Sequence, residues 1–305
     1  MSEHLSAEQR TRLADMAYGI RRLSVEMITW AQWGHIGGSF SMAELLSVLY
    51  FHHMSVRPDD PTWEGRDRLI LSKAHGSPGL YAALALAGYF PQAEVYGYCE
   101  LGGRLEGHTD MLRTPGLESS GGPLGMGLSV AVGRALGLRY KLDPRARVFC
   151  ILGDGETNEG NVWEAAMAAA HYRLDNLIAV VDYNKVMAKG FTHDQMSIEP
   201  FADKWRAFGW EVVEVDGHDI DEVADAFHRA RWILPHGQPI VVIAHTVKGK
   251  GVEIAEFNPK WHTHAPDGPT ADRMLRELAR HYGYPDEGYS RLDDPVAKEV
   301  FYGGE

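Results

Sequence analysis

The sequence predicts an α/β protein built on a mostly parallel sheet with helices on both faces. Short apolar runs of strand length alternate with longer segments that carry helical apolar spacing, and this alternation is typical of parallel sheets. One of the runs ends at Gly153-Asp154-Gly155, so a carboxylate is expected at a strand's carboxyl end, where such folds bind ligands. With 305 residues, of which 45% are hydrophobic, the chain is long enough to bury a large core.

The N-terminal part of the chain begins with a predicted helix. Ser6 and Gln9 match a capping box, and the pattern after them predicts an amphipathic helix that runs to about Trp33. The glycines in the segment 34–38 are predicted to end this helix. Further helices are expected over about 41–52 and 78–87, with a buried strand over 68–72 that ends at Lys73-Ala74-His75-Gly76.

The centre of the chain carries the most informative motif. The apolar run from Arg147 to Leu152 predicts a buried strand that enters a tight turn at Gly153-Asp154-Gly155. An alanine-rich helix is predicted from Glu159 to Tyr172, and the next strand from Asn176 to Asp182. Strand, helix and strand together form a βαβ unit.

Asp154 and Asn184 point to a metal site that binds a diphosphate. Because a right-handed crossover brings the ends of both strands to one edge of the sheet, the two side chains are expected to lie close together. With one backbone carbonyl they supply the hard oxygen ligands that Mg²⁺ prefers, and phosphate oxygens and water complete its shell. Gly-Asp-Gly alone is more often an ordinary turn, and the later asparagine is what favours the metal site.

The remaining predicted elements continue the alternation. They are helices over about 129–141, 219–234 and 270–281, and strands over 210–215 and 239–244. The glycine-rich stretch 102–127 is predicted to be an irregular loop with a functional role. The simplest division is one domain over 1–270, followed by a C-terminal helix and polar tail over 271–305.

Composition excludes several classes of function. A net charge of −12 and a pI near 5.7 argue against a nucleic-acid surface. Cys99 and Cys150 are too few for a disulfide framework and are predicted to be core thiols. The N-terminus lacks the pattern of a signal segment, and no apolar run approaches the roughly twenty residues of a membrane span, so a cytoplasmic location is expected.

Three histidines stand beside glycine at breaks between elements: His35, His75 and His108. Singly, each is more often a polar loop or core residue than a catalytic one. The order Gly-His-x-Gly, Ser-x-x-His-Gly, Gly-His, Gly-Pro-Leu-Gly and Gly-Asp-Gly, followed by the asparagine, is similar to the amino-terminal region of transketolase. This resemblance covers roughly residues 10–270 and implies a thiamin diphosphate-binding fold.

The resemblance implies thiamin diphosphate and Mg²⁺ as cofactors, with Ca²⁺ or Mn²⁺ as substitutes for Mg²⁺. The implied metal ligands are Asp154, Asn184 and the carbonyl of Val186. Glu159 is also implied to lie at a subunit interface, in an acidic link between paired active sites, with Glu164 a weaker candidate. The residues implied to contact the cofactor are His75, Gly122, Leu124, Gly153, Asp154, Gly155, Glu159, Asn184 and His262.

Four histidines are implied to serve the reaction. His35 would face the substrate, His75 would support the diphosphate and the reaction centre, and His108 would bond the C1 hydroxyl of the sugar. His262 would contact diphosphate and substrate, although His264 competes for that assignment. Imidazole suits these roles because it exchanges protons near neutral pH.

The resembled enzymes are about twice as long, because a pyrimidine-binding domain and a C-terminal domain follow the matched region. The chain is therefore expected to be the amino-terminal subunit of a split transketolase that transfers a two-carbon ketol unit from a ketose to an aldose. Its expected partner is a C-terminal subunit, in an α2β2 assembly. Lys73, Tyr183 and Lys189 depart from the family pattern, and Lys189 leaves substrate or subunit contacts open.

Two alternatives remain from the sequence. One is a subunit of another thiamin diphosphate enzyme, such as a deoxyxylulose phosphate synthase or a ketoacid dehydrogenase. The other is a noncatalytic regulatory subunit that retains the cofactor pocket. The three spaced histidines favour transketolase over the dehydrogenase, and the intact site residues argue against the regulatory subunit.

Overall fold

The computed structural model describes residues 4–141, 145–234 and 237–285. The strands are β1 Arg68–Leu71, β2 Val148–Gly153, β3 Leu177–Tyr183, β4 Val186–Met187, β5 Gly190–Phe191, β6 Glu211–Asp216 and β7 Ile240–His245. Five of them form one parallel sheet in the order β1-β2-β3-β7-β6, and β4 and β5 form a small antiparallel hairpin. The predicted parallel sheet is confirmed.

Ten α-helices fall within the described ranges. They are α1 Ala7–Ala31, α2 Ile36–Ser41, α3 Ala43–Val48, α4 Ser77–Ala87, α5 Met126–Tyr140, α6 Gly160–His171, α7 Thr192–Gln195, α8 Phe201–Ala207, α9 Ile220–His228 and α10 Gly268–Tyr282. Short π-helical turns extend α3 over Leu49–His53 and α9 over Arg229–Ile233. The polar tail predicted beyond residue 285 lies outside the described residues.

Helices cover both faces of the sheet, as predicted. Side chains alternate along each strand, so Phe149 and Ile151 of β2 pack with α1, α3, α4 and α9. Their neighbours Cys150 and Leu152 pack with α5, α6 and α8 on the other face. Both faces of β2 are therefore buried, which explains why its sequence is continuously apolar.

The predicted capping box at the start of α1 is present. The hydroxyl oxygen of Ser6 accepts from the backbone N–H of Gln9 at 3.1 Å, and the Gln9 side chain accepts from the N–H of Ser6 at 2.8 Å. At the other end of the chain, Met274 and Leu278 of α10 are fully buried in a cluster with Ile28 of α1. The last helix is thus packed onto the first.

A buried polar network joins α1, α3 and α10. Arg21 forms two hydrogen bonds with the Glu44 carboxylate, at 2.6 and 2.7 Å. The Tyr282 hydroxyl donates to Glu44 at 2.9 Å, and His218 lies 2.9 Å away on the other carboxylate oxygen. Burial raises the pKa of Glu44, but the charge of Arg21 outweighs it, so the pKa lies well below the ordinary 4.5.

Three sequence predictions are wrong in detail. The helix predicted over about 41–52 is present as α3 and its π-helical turn, but α2 over Ile36–Ser41 was predicted as a break. Its glycine pair makes close contacts and does not prevent a helix. Helix α5 begins at Met126, three residues early. Cys150 is buried as predicted, but Cys99, which follows the short 3₁₀ turn Gln92–Gly97, is exposed. None of the helices in the described ranges has the length and apolar character that a bilayer crossing requires.

Candidate active site

Asp154 and Asn184 lie together at the carboxyl edge of the sheet, as predicted. Strands β2 and β3 are parallel neighbours, and Gly153 pairs with Asp182 in their register. Asp154 follows β2 directly, and Asn184 follows β3. Two backbone N–H groups orient the Asp154 carboxylate: that of Gly155 at 2.8 Å and that of Lys185 at 2.6 Å.

Asn184 is held in one orientation from both sides of its amide. Its nitrogen donates to Asp182 at 2.8 Å, and its oxygen accepts from the N–H of Val186 at 3.1 Å. The chain therefore turns back over the site at Asn184. This turn brings the Val186 carbonyl to the same edge as Asp154.

Lys248 lies where the predicted ligands converge. Its ammonium group donates to the Val186 carbonyl at 2.7 Å and contacts Nδ1 of His262 at 2.6 Å. Burial is the main cause that lowers the pKa of Lys248, to about 8, and the charge of nearby Lys73 adds to it. The Val186 carbonyl thus already binds one cationic group, and its second lone pair remains for a metal ion.

The donor set fits Mg²⁺. It consists of a carboxylate, an amide oxygen and a carbonyl oxygen, which are hard ligands. Burial, and next the charge of Asp182, raise the pKa of Asp154 to about 6, so a cation at this point would stabilise the carboxylate. Across the described ranges, no three His, Cys, Asp or Glu side chains converge on a possible metal position, so a metal here depends on the amide and the carbonyl.

A buried ion pair lies beneath this edge. The ammonium group of Lys73 bonds to Asp182 at 2.5 Å and to the carbonyl of Gly38 at 2.7 Å, and both charged side chains are almost inaccessible. Ser41 and Thr246 donate to the same carboxylate. Asp182 thus connects four segments of the chain and also orients Asn184.

The four predicted histidines form one cluster, and three of them, His75, His108 and His262, line the other end of the pocket. Ring centroids lie 5.3 Å apart for His35 and His75, 5.0 Å for His75 and His262, and 6.5 Å for His35 and His108. Each ring comes from a different segment of the chain. His35 follows α1, His75 follows β1, His108 lies in the loop before α5, and His262 lies between β7 and α10. His264, the competing assignment, is exposed and packs on Trp261 outside this cluster.

Burial favours the neutral form of His35, His75 and His262. It is the main cause that lowers the pKa of His35 to about 4 and that of His262 to about 3, and the nearby cationic and imidazole groups add to the effect. Burial also places the pKa of His75 well below its usual value. Nδ1 of His35 is buried, and the described residues supply no hydrogen-bond partner for it. At neutral pH these three rings offer hydrogen-bond donors and acceptors without positive charge.

The two ends meet in one pocket of about 370 Å³. The Gly122 and Leu124 loop forms a wall opposite the Gly-Asp-Gly turn, and Leu124 is 38% exposed. At Gly155 the backbone approaches closely, since an added Cβ would lie 2.8 Å from Met187. The predicted site residues that line the pocket are His75, His108, Gly122, Leu124, Gly153, Asp154, Gly155, Glu159, Asn184, Val186 and His262.

Some lining residues were not predicted from the sequence. The sequence pattern gave Lys248 no role, and it identified Lys73 only as a departure from a family pattern. Glu156 and Met187 also line the pocket. Lys189 is exposed and is not among the residues that line the pocket. His35 belongs to the histidine cluster but is not among the residues that line the pocket.

A second, open cleft of about 540 Å³ adjoins the pocket at His108, which lines both. Its walls include Trp33, Glu106, Asp110 and Ser120. Trp33 is 41% exposed, and its ring meets the rings of His35 and His108 edge to face, at 5.2 and 5.9 Å. The cleft therefore leads from the solvent to the histidine cluster.

Comparison with known proteins agrees with this geometry. The family model described as transketolase, thiamine diphosphate binding domain, matches residues 13–296. The chain is 46% identical over 250 residues to the 6-deoxy-6-sulfo-D-fructose transketolase subunit SqwG of Clostridium sp. (strain MSTE9), with 82% of this chain and 90% of that protein covered. It is 43% identical to an apulose-4-phosphate transketolase subunit of Actinobacillus succinogenes, with 80% and 87% covered.

Among solved structures, the fold is similar to that of transketolase from Campylobacter jejuni. The TM-score is 0.84 at 29% identity, and the match covers 97% of this chain but only 46% of the solved chain. This chain thus spans less than half the length of that transketolase, whereas it spans most of the length of the two subunits.

Proposed function

Because the chain belongs to the transketolase family and carries its thiamin diphosphate-binding domain, we propose that it is the cofactor-binding subunit of a two-chain transketolase. The proposed reaction moves a two-carbon ketol unit from a ketose to an aldose. The proposed cofactors are thiamin diphosphate and Mg²⁺. The proposed partner is a separate C-terminal subunit, in an α2β2 assembly.

One observation carries this proposal. A single pocket has a set of oxygen donors at one end and His75, His108 and His262 at the other. The ring of His35 lies against all three of these histidines. The first end suits a metal-bound diphosphate, and the second suits the hydroxyl and carbonyl groups of a sugar. When bound, thiamin diphosphate supplies the chemistry that cleaves and forms the carbon–carbon bond.

The chain's own residues would divide the work. Asp154, Asn184 and the Val186 carbonyl would hold the metal ion, and Lys248 would add a positive charge beside the diphosphate. His262 contacts Lys248, so it lies between the two ends of the pocket. His35, whose Nδ1 is buried without a partner in the described structure, would accept or donate one hydrogen bond to the sugar.

Reconstitution tests the proposal. The purified chain, its candidate partner and the mixture are assayed for ketol transfer with thiamin diphosphate and Mg²⁺. Donors include D-xylulose 5-phosphate and 6-deoxy-6-sulfo-D-fructose. We expect turnover only from the mixture, and a loss of about 100-fold or more in kcat for His108→Ala, as for removal of a proton-transfer group.

Other outcomes would point elsewhere. Robust transfer by the lone chain would overturn the two-chain arrangement. Turnover that does not depend on His108 would support a regulatory subunit. A mixture that decarboxylates ketoacids but transfers no ketol group would indicate a different thiamin diphosphate enzyme.

A further inference from the structure

Glu156 lies in the short 3₁₀ turn that follows Gly-Asp-Gly, and its side chain is buried. One carboxylate oxygen accepts from the backbone N–H of Gly153 at 2.9 Å. The other accepts from the N–H of Gly125 at 2.8 Å and from the hydroxyl of Ser72. Glu156 thus receives hydrogen bonds from three separate segments.

Those segments form the walls of the cofactor pocket. Gly153 ends β2 and enters the turn that carries Asp154, whereas Gly125 ends the loop that carries Gly122 and Leu124. Ser72, just after β1, also accepts from the N–H of Gly127 at 3.1 Å.

The contact between β1 and α5 is close. A Cβ added to Gly127 would lie 2.5 Å from Ser72 atoms, so only glycine fits there. Glu156 therefore binds the N–H of Gly125 directly and is connected to the N–H of Gly127 through Ser72.

We propose that Glu156 is a positioning residue that sets the width of the cofactor pocket by tying the Gly122–Leu124 wall to the Gly-Asp-Gly turn. This role rests on the proposed function only in naming thiamin diphosphate as the occupant. The loop is rich in glycine, and its other side-chain hydrogen bond to this part of the chain is a weak one, from the Asn161 amide to the sulfur of Met126 at 3.2 Å. The Glu156 carboxylate, with three donors, is the stronger connection.

Asp67 offers a matched control at the opposite end of the sheet. It is equally buried, and it accepts from the N–H groups of Ser55 and Arg147 at 2.7 Å each. Arg231 completes its partners at 2.6 Å. Asp67 therefore joins backbone segments just as Glu156 does, but at the amino ends of β1 and β2, away from the pocket.

The test compares Glu156→Gln with Asp67→Asn in the full chain. Glutamine keeps the shape of the Glu156 side chain but turns an NH₂ group toward one of the N–H donors, so one hydrogen bond is lost. Hydrogen exchange of the segment 121–128 is measured first without cofactor. We expect exchange about tenfold faster in Glu156→Gln, as for the loss of one hydrogen bond, and unchanged in Asp67→Asn.

Cofactor affinity is the second measurement, made on the complex with the partner chain. The apparent Kd for thiamin diphosphate at saturating Mg²⁺ is expected to rise about tenfold in Glu156→Gln and less than twofold in Asp67→Asn. The KM for the sugar donor should change little, since the histidine cluster is not tied by Glu156. If Glu156→Gln does not fold, Ser72→Ala replaces it, because it removes one donor to Glu156 and the acceptor of Gly127.

The inference is overturned if both variants change exchange or affinity equally, since that would be a general effect of stability. It is also overturned if faster exchange leaves the affinity for thiamin diphosphate unchanged. If the wild-type complex does not bind the cofactor at all, the proposed function fails, and the exchange data alone then decide whether Glu156 fixes the two walls.

Discussion

The ion pair between Lys73 and Asp182 makes a strong and quantitative prediction. Both side chains are almost inaccessible to water, at 1% and 0% exposure. Replacing Lys73 with methionine keeps the length of the side chain but leaves Asp182 as a buried, unpaired carboxylate. Replacing Asp182 with asparagine leaves the buried ammonium group unpaired in turn.

The expected energies follow from this burial. Removing one partner of a buried ion pair costs about 3–5 kcal/mol, because the remaining charge has lost its compensation without regaining water. If the two changes were independent, the double variant would lose roughly 6–10 kcal/mol. In Lys73→Met/Asp182→Asn neither charge remains, so we expect a loss of about 3–5 kcal/mol and a coupling free energy of about 3 kcal/mol or more.

Urea unfolding of the purified chain without cofactor measures the free energy of unfolding of four proteins: the wild type, the two single variants and the double variant. The exposed pair Lys141 and Glu64, at 63% and 83% exposure, is the control. The cycle with Lys141→Met and Glu64→Gln should give a coupling below about 0.5 kcal/mol. Additive losses at Lys73 and Asp182, or equal coupling in the two cycles, would refute the reasoning.

Three further predictions concern pH, substrate and metal. Because the pKa of Glu44 is lowered in the folded chain, its carboxylate stabilises the fold above pH 4.5, and this stabilisation is lost as the pH falls below that value. The difference in unfolding free energy between wild type and Glu44→Gln should therefore shrink from pH 6 to pH 3. A difference that stays constant would contradict this. In the reconstituted enzyme, Trp33→Ala should lower kcat/KM for ketose donors about tenfold by removing a wall of the cleft, while Trp232→Ala, exposed elsewhere, should not. Chelation of the metal, or Asp154→Asn, should abolish the retention of thiamin diphosphate by the reconstituted enzyme on gel filtration. Added Mg²⁺, Ca²⁺ or Mn²⁺ should restore retention only in the wild type.

The sequence was sufficient for those parts of the site that obey local rules. Asp154 and Asn184 each follow an apolar strand, and the handedness of the crossover alone brings them to one edge. Lys248 could not be placed in this way, because its partner Val186 is 62 residues distant along the chain. The ion pair of Lys73 with Asp182 spans 109 residues and depends on tertiary packing alone.

The glycine pair Gly37 and Gly38 shows a different limit. Paired glycines usually end a helix, and the break was predicted for that reason. In the structure they lie inside α2, where a Cβ at Gly37 would be 2.9 Å from the Lys248 side chain and 3.1 Å from a backbone oxygen. Glycine is required here for close approach, which has the same sequence signal as a helix break.

The two ends of the pocket indicate what this chain would supply and what the proposed partner would supply. At the metal end, Asp182 is compensated by Lys73, and Asp154 is oriented by two backbone amides, so this end is prepared within the chain. On the wall formed by the Gly122–Leu124 loop, Leu124 is over one-third exposed, so an apolar surface is open beside the pocket. A flat ring on that surface would be covered on one side only, and apolar contact stabilises a ligand in proportion to the area removed from water. The lone chain should therefore hold the diphosphate but bind the whole cofactor weakly until a second chain covers the open side.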